Sequence, residues 1–193
     1  PAGNFLFGSS DTTEYLDGFY IDRYPVTAGD YKACVDAGEC AYNGSTTLSF
    51  RTYENDKDDH PINYVNHDEA STYCAWKDKR LPTEYEWEKA ARGTDGRSYP
   101  WGDDSPDETR GNYWNSGGVF DNGTTPVGYY NGQNGTLDSP SPYGAYDIAG
   151  NVWEWTTSRY DSSNSSRPIP TNWLVLRGGW FDPRYSDSEV TLM

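Results

Sequence analysis

Two groups of side chains in this sequence have types and spacings that bear on chemistry. The first is the cysteines: Cys34 and Cys40 flank the short Gly38-containing stretch Val35–Glu39, and Cys74 stands alone. Two cysteines around such a turn can close a small disulfide, which would imply an oxidising compartment. Geometry rather than spacing decides such a bond, and two ordinary buried thiols are the plainer alternative. Cys74 follows Ala70 and Tyr73 at helical spacing and reads as a buried core thiol. With only His60 and His67 to help and no zinc-ligand spacing, the thiols make no zinc site.

The second group is a carboxylate set among aromatic rings. In Asn151-Val152-Trp153-Glu154-Trp155 the residues alternate as in a strand with one face toward a core, which makes Glu154 the anomaly. Burying its charge is costly unless an arginine pairs with it or a cation binds it. A hard cation such as calcium takes carboxylate and backbone carbonyl oxygens, and loops rich in Gly and Asn present both. Other enzyme signatures are absent: there is no phosphate-cradling Gly loop ending in Lys-Ser/Thr and no nucleophile elbow. Among 30 Asp and Glu residues any two could be named a glycosidase dyad, so that signal carries no information.

These residues need elements to hold them. Alternation predicts strands over Asn4–Gly8 and Gly18–Asp22. Thr27, with Asp30 three positions on, predicts a helix over about Ala28–Ala37, ended by Gly38. Asn66 with Glu69 predicts a second helix running to about Lys79, with Ala70, Tyr73, Cys74 and the stem of Lys77 on one face. Thr83 with Glu86 forms a capping box for a third, ending near Arg92-Gly93, whose charges read as a solvated face. From Thr94 to Tyr143 the chain is loop-like, but its interspersed aromatics can carry a packed core of their own. Strands are predicted at Asn151–Trp155 and Trp173–Arg177, separated by a Ser- and Pro-rich loop over Tyr160–Thr171. The sum is one α+β domain over residues 1–193.

Composition narrows the field further. The chain has 193 residues and a formal net charge of -15, against the basic face that a phosphate-tracking nucleic-acid binder needs. The balance suits divalent cations or basic partners instead. Aromatics make up 16%, too many for a disordered acidic tail, so the core must be built largely from rings. No run approaches the roughly 20 apolar residues of a membrane-spanning helix. Pro1–Ser10 holds no initiator Met and no signal-like apolar stretch, which reads as a processed or trimmed start.

Four segments together resemble the formylglycine-generating enzyme (sulfatase-modifying factor) family, whose fold is similar to an irregular C-type lectin. They are Phe19–Thr27; His60-Pro61-Ile62 with Val65-Asn66; Arg80–Gly93; and Tyr143–Trp155. A fifth, Leu176-Arg177-Gly178-Gly179-Trp180, falls in the right order. The resemblance implies a loop-rich α+β fold with few helices and short antiparallel strands. It also implies structural calcium, held by the side chains of Asp147 and Glu154 and the carbonyls of Gly150 and Val152. In the family the first position is often Asn; Asp147 keeps the oxygen and adds charge. A second calcium would match Asn112 and the carbonyl of Tyr113, with Asp121 and the carbonyl of Gly123 as candidates where the loop length departs from the family pattern.

The family's chemistry does not carry over as readily. The enzyme oxidises a sulfatase cysteine to formylglycine with a copper ion held by two thiolates after the Gly-Gly motif, because Cu(I) is a soft ion. Here neither position holds a cysteine, the nearest matches being Asp182 and Asp187, and Cys34, Cys40 and Cys74 match nothing catalytic, so no copper is expected. A related iron-dependent branch needs a histidine cluster that two histidines cannot supply. Within lectin-like relatives, including variable proteins of diversity-generating retroelements, the surface after Gly-Gly binds ligands. Trp180, Phe181, Asp182, Arg184 and Tyr185 have the mixed aromatic and polar composition of such a surface. Core packing of Trp180 and Phe181 is the plainer alternative. The family's closing strand near the chain end has no match before Met193, so either the chain is cut short or another chain supplies that strand.

The expectation is a non-catalytic, calcium-stabilised binding or structural module, lodged in a secreted, periplasmic or cell-envelope assembly. It would have a protein partner or glycan-like ligand, and neither nucleic acid nor a membrane span. An oxidoreductase making formylglycine and a ligand-binding variable protein are the alternatives.

Overall fold

The computed structural model describes residues 1–44, 50–54, 56–113, 123–160 and 173–179. Its elements, in order, are β1 (Gly3–Phe7), β2 (Thr12–Leu16), α1 (Ala28–Asp36), α2 (His67–Trp76), α3 (Glu84–Arg92), β3 (Glu154–Arg159) and β4 (Leu174–Arg177). Three short helices and two antiparallel ribbons, β1–β2 and β3–β4, are joined by long loops. The α+β expectation therefore holds.

The helices begin where their caps dictate. Thr27 accepts from the Asp30 N–H, and reciprocal capping boxes join Asn66 to Glu69 and Thr83 to Glu86. Each box satisfies two N–H groups that the first turn leaves without intrahelical partners. α1 ends at Ala37 with Gly38 at φ +77°. α2 stops earlier than its pattern suggested, because Lys77 caps it and Asp78 turns to φ +56°. Its covered residues are Glu69 and Tyr73, while Cys74 is only half-buried beside an apolar groove. Glu69 accepts from the backbone and amide of Asn43, which ties the loop after α1 to the start of α2. Cys34 and Cys40 are joined in a disulfide with their Cα atoms 5.3 Å apart, closing the same corner.

Helix α3 corrects the sequence reading most. Its charges are not a solvated face: Glu86, Glu88, Lys89 and Arg92 are all buried. The helix lies against β1, β3 and β4, so its polar side chains meet protein on several sides. Glu88 accepts from the Gly8 N–H and pairs with Arg92 and with Arg177 of β4. Lys89 donates to the Gly3 carbonyl at 2.8 Å. Such burial is tolerated because every charge is paired or hydrogen-bonded. Trp87, Ala90 and Ala91 complete the helix's inner face and pack with Ala145 and Ile148.

Two strand expectations shift. Residues 18–22 alternate between exposed and half-buried, with Phe19 and Ile21 against the α3 core, but among the described residues they join no ladder. β2, by contrast, was not legible: Thr12–Leu16 offers only Tyr15 and Leu16 as large apolar residues, too few to alternate. The strand expected at Asn151–Trp155 starts at Glu154, and residues before it form a turn with Asp147, Gly150 and Asn151 at φ +57°, +88° and +65°.

Candidate functional site

The turn from Asp147 to Val152 is where the chain concentrates polar groups out of water. Asp147 is buried, and its carboxylate accepts the Gly128 N–H. Glu154 opens β3, and its Oε2 accepts the Trp87 indole N–H at 2.8 Å. Among the described residues no arginine pairs with Glu154; Arg177, next to it across the ribbon, goes to Glu84 and Glu88 instead. One oxygen of each carboxylate has no hydrogen-bond donor among the described residues.

The electrostatics follow. Burial pushes the Asp147 carboxyl up to about 6, against which the Gly128 N–H works. Burial likewise lifts Glu154 to about 7; the Trp87 N–H opposes this, and the nearby Asp147 charge adds to it. Two carboxylates that resist ionising together lack a positive charge between them. The backbone adds oxygens to this corner. The Gly150 N–H donates to Gly178, and the Gly150 carbonyl accepts from Val152. The Val152 carbonyl lies 3.1 Å from where a Cβ on Gly178 would stand, so only glycine admits that approach. Gly178 and Gly179 both sit at φ +101°.

These donors suit a hard cation: two carboxylates with spare oxygens and carbonyls on one tight turn. Among the described residues no group of three or more His, Cys, Asp and Glu side chains could hold a metal, so a cation here would need the carbonyls of Gly150 and Val152 as well. The structure brings all four of these predicted residues onto one turn and the strand it feeds.

The second predicted set is arranged differently. Asn112 is buried and donates its Nδ2 to the Gly123 carbonyl at 2.9 Å and to Asn151 Oδ1 at 3.2 Å. Asn151, in turn, is held by the Thr125 backbone, accepting its N–H and donating to its carbonyl. That pins the amide orientations in series. Asn112 therefore presents nitrogen, not oxygen, to Gly123, and the pair does not fit a shared cation. Tyr113 is half-buried beside them. Asp121 lies outside the described residues, as do Trp180, Phe181, Asp182, Arg184 and Tyr185 of the predicted ligand surface.

Sequence reasoning missed Trp87, Gly128 and Asn151. Trp87 gives no local signal of its role, because its partner Glu154 lies 67 residues away in sequence. An apolar groove of about 470 Å³ runs beside the site, walled by Phe19, Ile21, Val65, Trp153 and Trp155, with Glu154 on its lining.

Comparison with known proteins bears on the family and the fold. A family model described as "Sulfatase-modifying factor enzyme 1-like domain" matches residues 1–192. The chain is 42% identical over 127 residues to "Inactive C-alpha-formylglycine-generating enzyme 2" from Bos taurus, covering 63% of this chain and 39% of that protein. It is 36% identical over 148 residues to "Formylglycine-generating enzyme" from Thermomonospora curvata, covering 70% of this chain and 44% of that protein. The chain thus spans about two fifths of the length of these curated relatives. Among solved structures, "Treponema denticola variable protein 1" superposes with a TM-score of 0.67 at 21% identity, covering 99% of this chain and 84% of that one. The fold is the loop-rich, C-type-lectin-like one that the resemblance implied.

Proposed function

The chain belongs to the family of sulfatase-modifying factor enzyme 1-like domains, and from that premise we propose that it is a non-catalytic, calcium-stabilised binding or structural module. The observation that carries the calcium part is the Asp147–Glu154 pair: one buried and one half-buried carboxylate, both pushed up toward neutrality, each with one oxygen engaged by a single N–H donor. A divalent ion bound there would let both ionise and would tie the turn to β3. Binding to the folded chain alone raises stability by mass action.

The non-catalytic part is supported by sequence. No cysteine follows the Gly178-Gly179 motif where the family's copper chemistry needs two thiolates; the nearest matches are Asp182 and Asp187, and hard carboxylates do not hold Cu(I). One relative bears a name that calls it inactive, while another is named for the enzyme. The Cys34–Cys40 disulfide supports an extracellular, periplasmic or envelope setting. Among the described residues no helix is long and apolar enough to cross a membrane. The partner would be a protein or glycan-like ligand meeting the residues after Gly179.

Thermal unfolding during a chelator titration tests the calcium reading. Removal of calcium should lower the melting temperature of the chain and leave that of Glu154→Gln unmoved; an unchanged wild-type curve overturns it. Incubation with copper and a cysteine-containing sulfatase peptide tests the other part. Formylglycine formation would overturn the non-catalytic reading.

A further inference from the structure

The misfit at Asn112 and Gly123 has a neighbour that bears on it. Lys57 sits three residues before His60 and is half-buried. Its Nζ lies 3.4 Å from where a Cβ on Gly123 would stand, so the ammonium occupies the space beside that glycine's α-carbon. Among the described residues no carboxylate is within ion-pair distance of it. The adjacent positions are tightly built: His60 Nδ1 lies 2.8 Å from Thr124 Oγ1, and Thr124 and Thr125 are fully buried. The Thr125 hydroxyl has no partner among the described residues. This corner therefore already holds one fixed positive charge and a carbonyl engaged by an amide N–H.

We propose that Lys57 takes the place of a second metal ion, so that this chain binds one calcium, at Asp147 and Glu154, and none at Asn112 and Gly123. The inference rests on the calcium reading of the Asp147–Glu154 pair. A divalent ion drawn to the Gly123 carbonyl would meet the Lys57 ammonium at close range, in surroundings where water screens little. It would also have to break the Asn112–Gly123 hydrogen bond, whose direction is set by the Thr125 backbone through Asn151. The charge is the larger obstacle: without it, an ion on the Gly123 carbonyl has only that one hydrogen bond to displace, a modest cost that the ion's own bond to the carbonyl offsets.

Calcium stoichiometry measured by titration calorimetry on the chelator-stripped whole chain tests this. Terbium luminescence sensitised by the chain's tryptophans gives a second readout. Wild type should bind one ion, Lys57→Met two, and Lys57→Arg one. The ion gained in Lys57→Met should persist when Glu154→Gln is added, whereas the wild-type ion should vanish. Two ions in wild type, or one in both wild type and a folded Lys57→Met, overturns the proposal. No ion in wild type but one in Lys57→Met would sink the Asp147–Glu154 reading and leave the role of Lys57 standing. None in either overturns both.

Discussion

The indole N–H of Trp87 donates to Oε2 of Glu154 at 2.8 Å across 67 residues of sequence, joining the buried face of α3 to the first residue of β3. Trp87 is fully buried, so the bond is shielded from water at the donor end. Hydrogen bonds to a charged acceptor are stronger than neutral ones, and here the acceptor is also a candidate cation ligand. The same indole ring faces the Arg177 guanidinium at 5.6 Å. One side chain thus connects the ion-pair network of α3 with the carboxylate pair of the turn.

Trp87→Phe isolates this connection. The ring volume is largely kept, but the donor is lost and Glu154 is left with less support for its charge. Stability should fall by about 1.5–3 kcal/mol, the range for a hydrogen bond to a charged group. Urea unfolding at neutral pH would measure it. A loss no larger than that of an exposed conservative substitution would mean that Trp87 matters only for packing.

The contribution of Asp147 and Glu154 to the pH profile of the metal-free chain should run opposite to the usual acid lability, which Glu86, Asp95 and Asp107 still supply. Asp147 and Glu154 are pushed up from 3.8 and 4.5 to about 6 and about 7. The folded state then holds more protons than the unfolded one between these limits, so unfolding free energy falls as pH rises. Their favourable contribution is full below about pH 4 and lost by about pH 7. His60 works against this slope, since burial lowers its pKa and the unfolded chain takes up its proton first. Comparing wild type with Asp147→Asn/Glu154→Gln cancels the histidine. Wild type should lose more stability than the double variant between pH 5 and 7.5, and saturating calcium should remove the difference.

Charge burial in α3 makes a third prediction. Glu88 is fully buried between Arg92 and Arg177. Glu88→Gln leaves two guanidinium groups facing a neutral amide in a dry site, which should cost about 3–5 kcal/mol. Asp95→Asn, which breaks the exposed pair with Arg97, should cost about 1 kcal/mol or less. Denaturant midpoints of the two variants should therefore differ clearly, and equal midpoints would refute the buried network.

What the sequence made legible was local. Thr83 and Glu86 lie three residues apart and announce a helix start without reference to anything else, and so do Asn66 and Glu69. The fate of α3's charges was not legible, because Glu88 finds its partner Arg177 only after 89 residues and through a strand the helix must first pack against. The same distance problem hid Trp87 from Glu154. Asp147, Gly150, Val152 and Glu154 came from family resemblance, and the turn that gathers them depends on positive φ values that a Gly-Asn pair hints at but does not fix. Residues 18–22 show the converse: a strand-like pattern survives in alternating burial, while the ladder that would make it a strand is missing among the described residues.

Gly150 is where backbone freedom and close approach coincide, and it allows the two to be separated. At φ +88°, any side chain there is strained, and a Cβ would also stand 2.5 Å from the Asn112 carbonyl oxygen. Gly135 has nearly the same conformation, φ +79°, with nothing within 4 Å. Gly135→Ala should therefore cost only the conformational penalty, about 1–2 kcal/mol. Gly150→Ala should cost more, because backbone atoms of Asn112 cannot rotate aside as a flexible side chain would. Relieving the clash means moving the turn away from Asn112, which breaks the Asn151 N–H bond to that carbonyl and displaces Asp147 relative to Glu154. The variant should lose its calcium-dependent rise in melting temperature along with its stability, while Gly135→Ala keeps that rise in full. If both alanine variants melt alike and respond alike to calcium, the contact between the turn and Asn112 does not position the carboxylates.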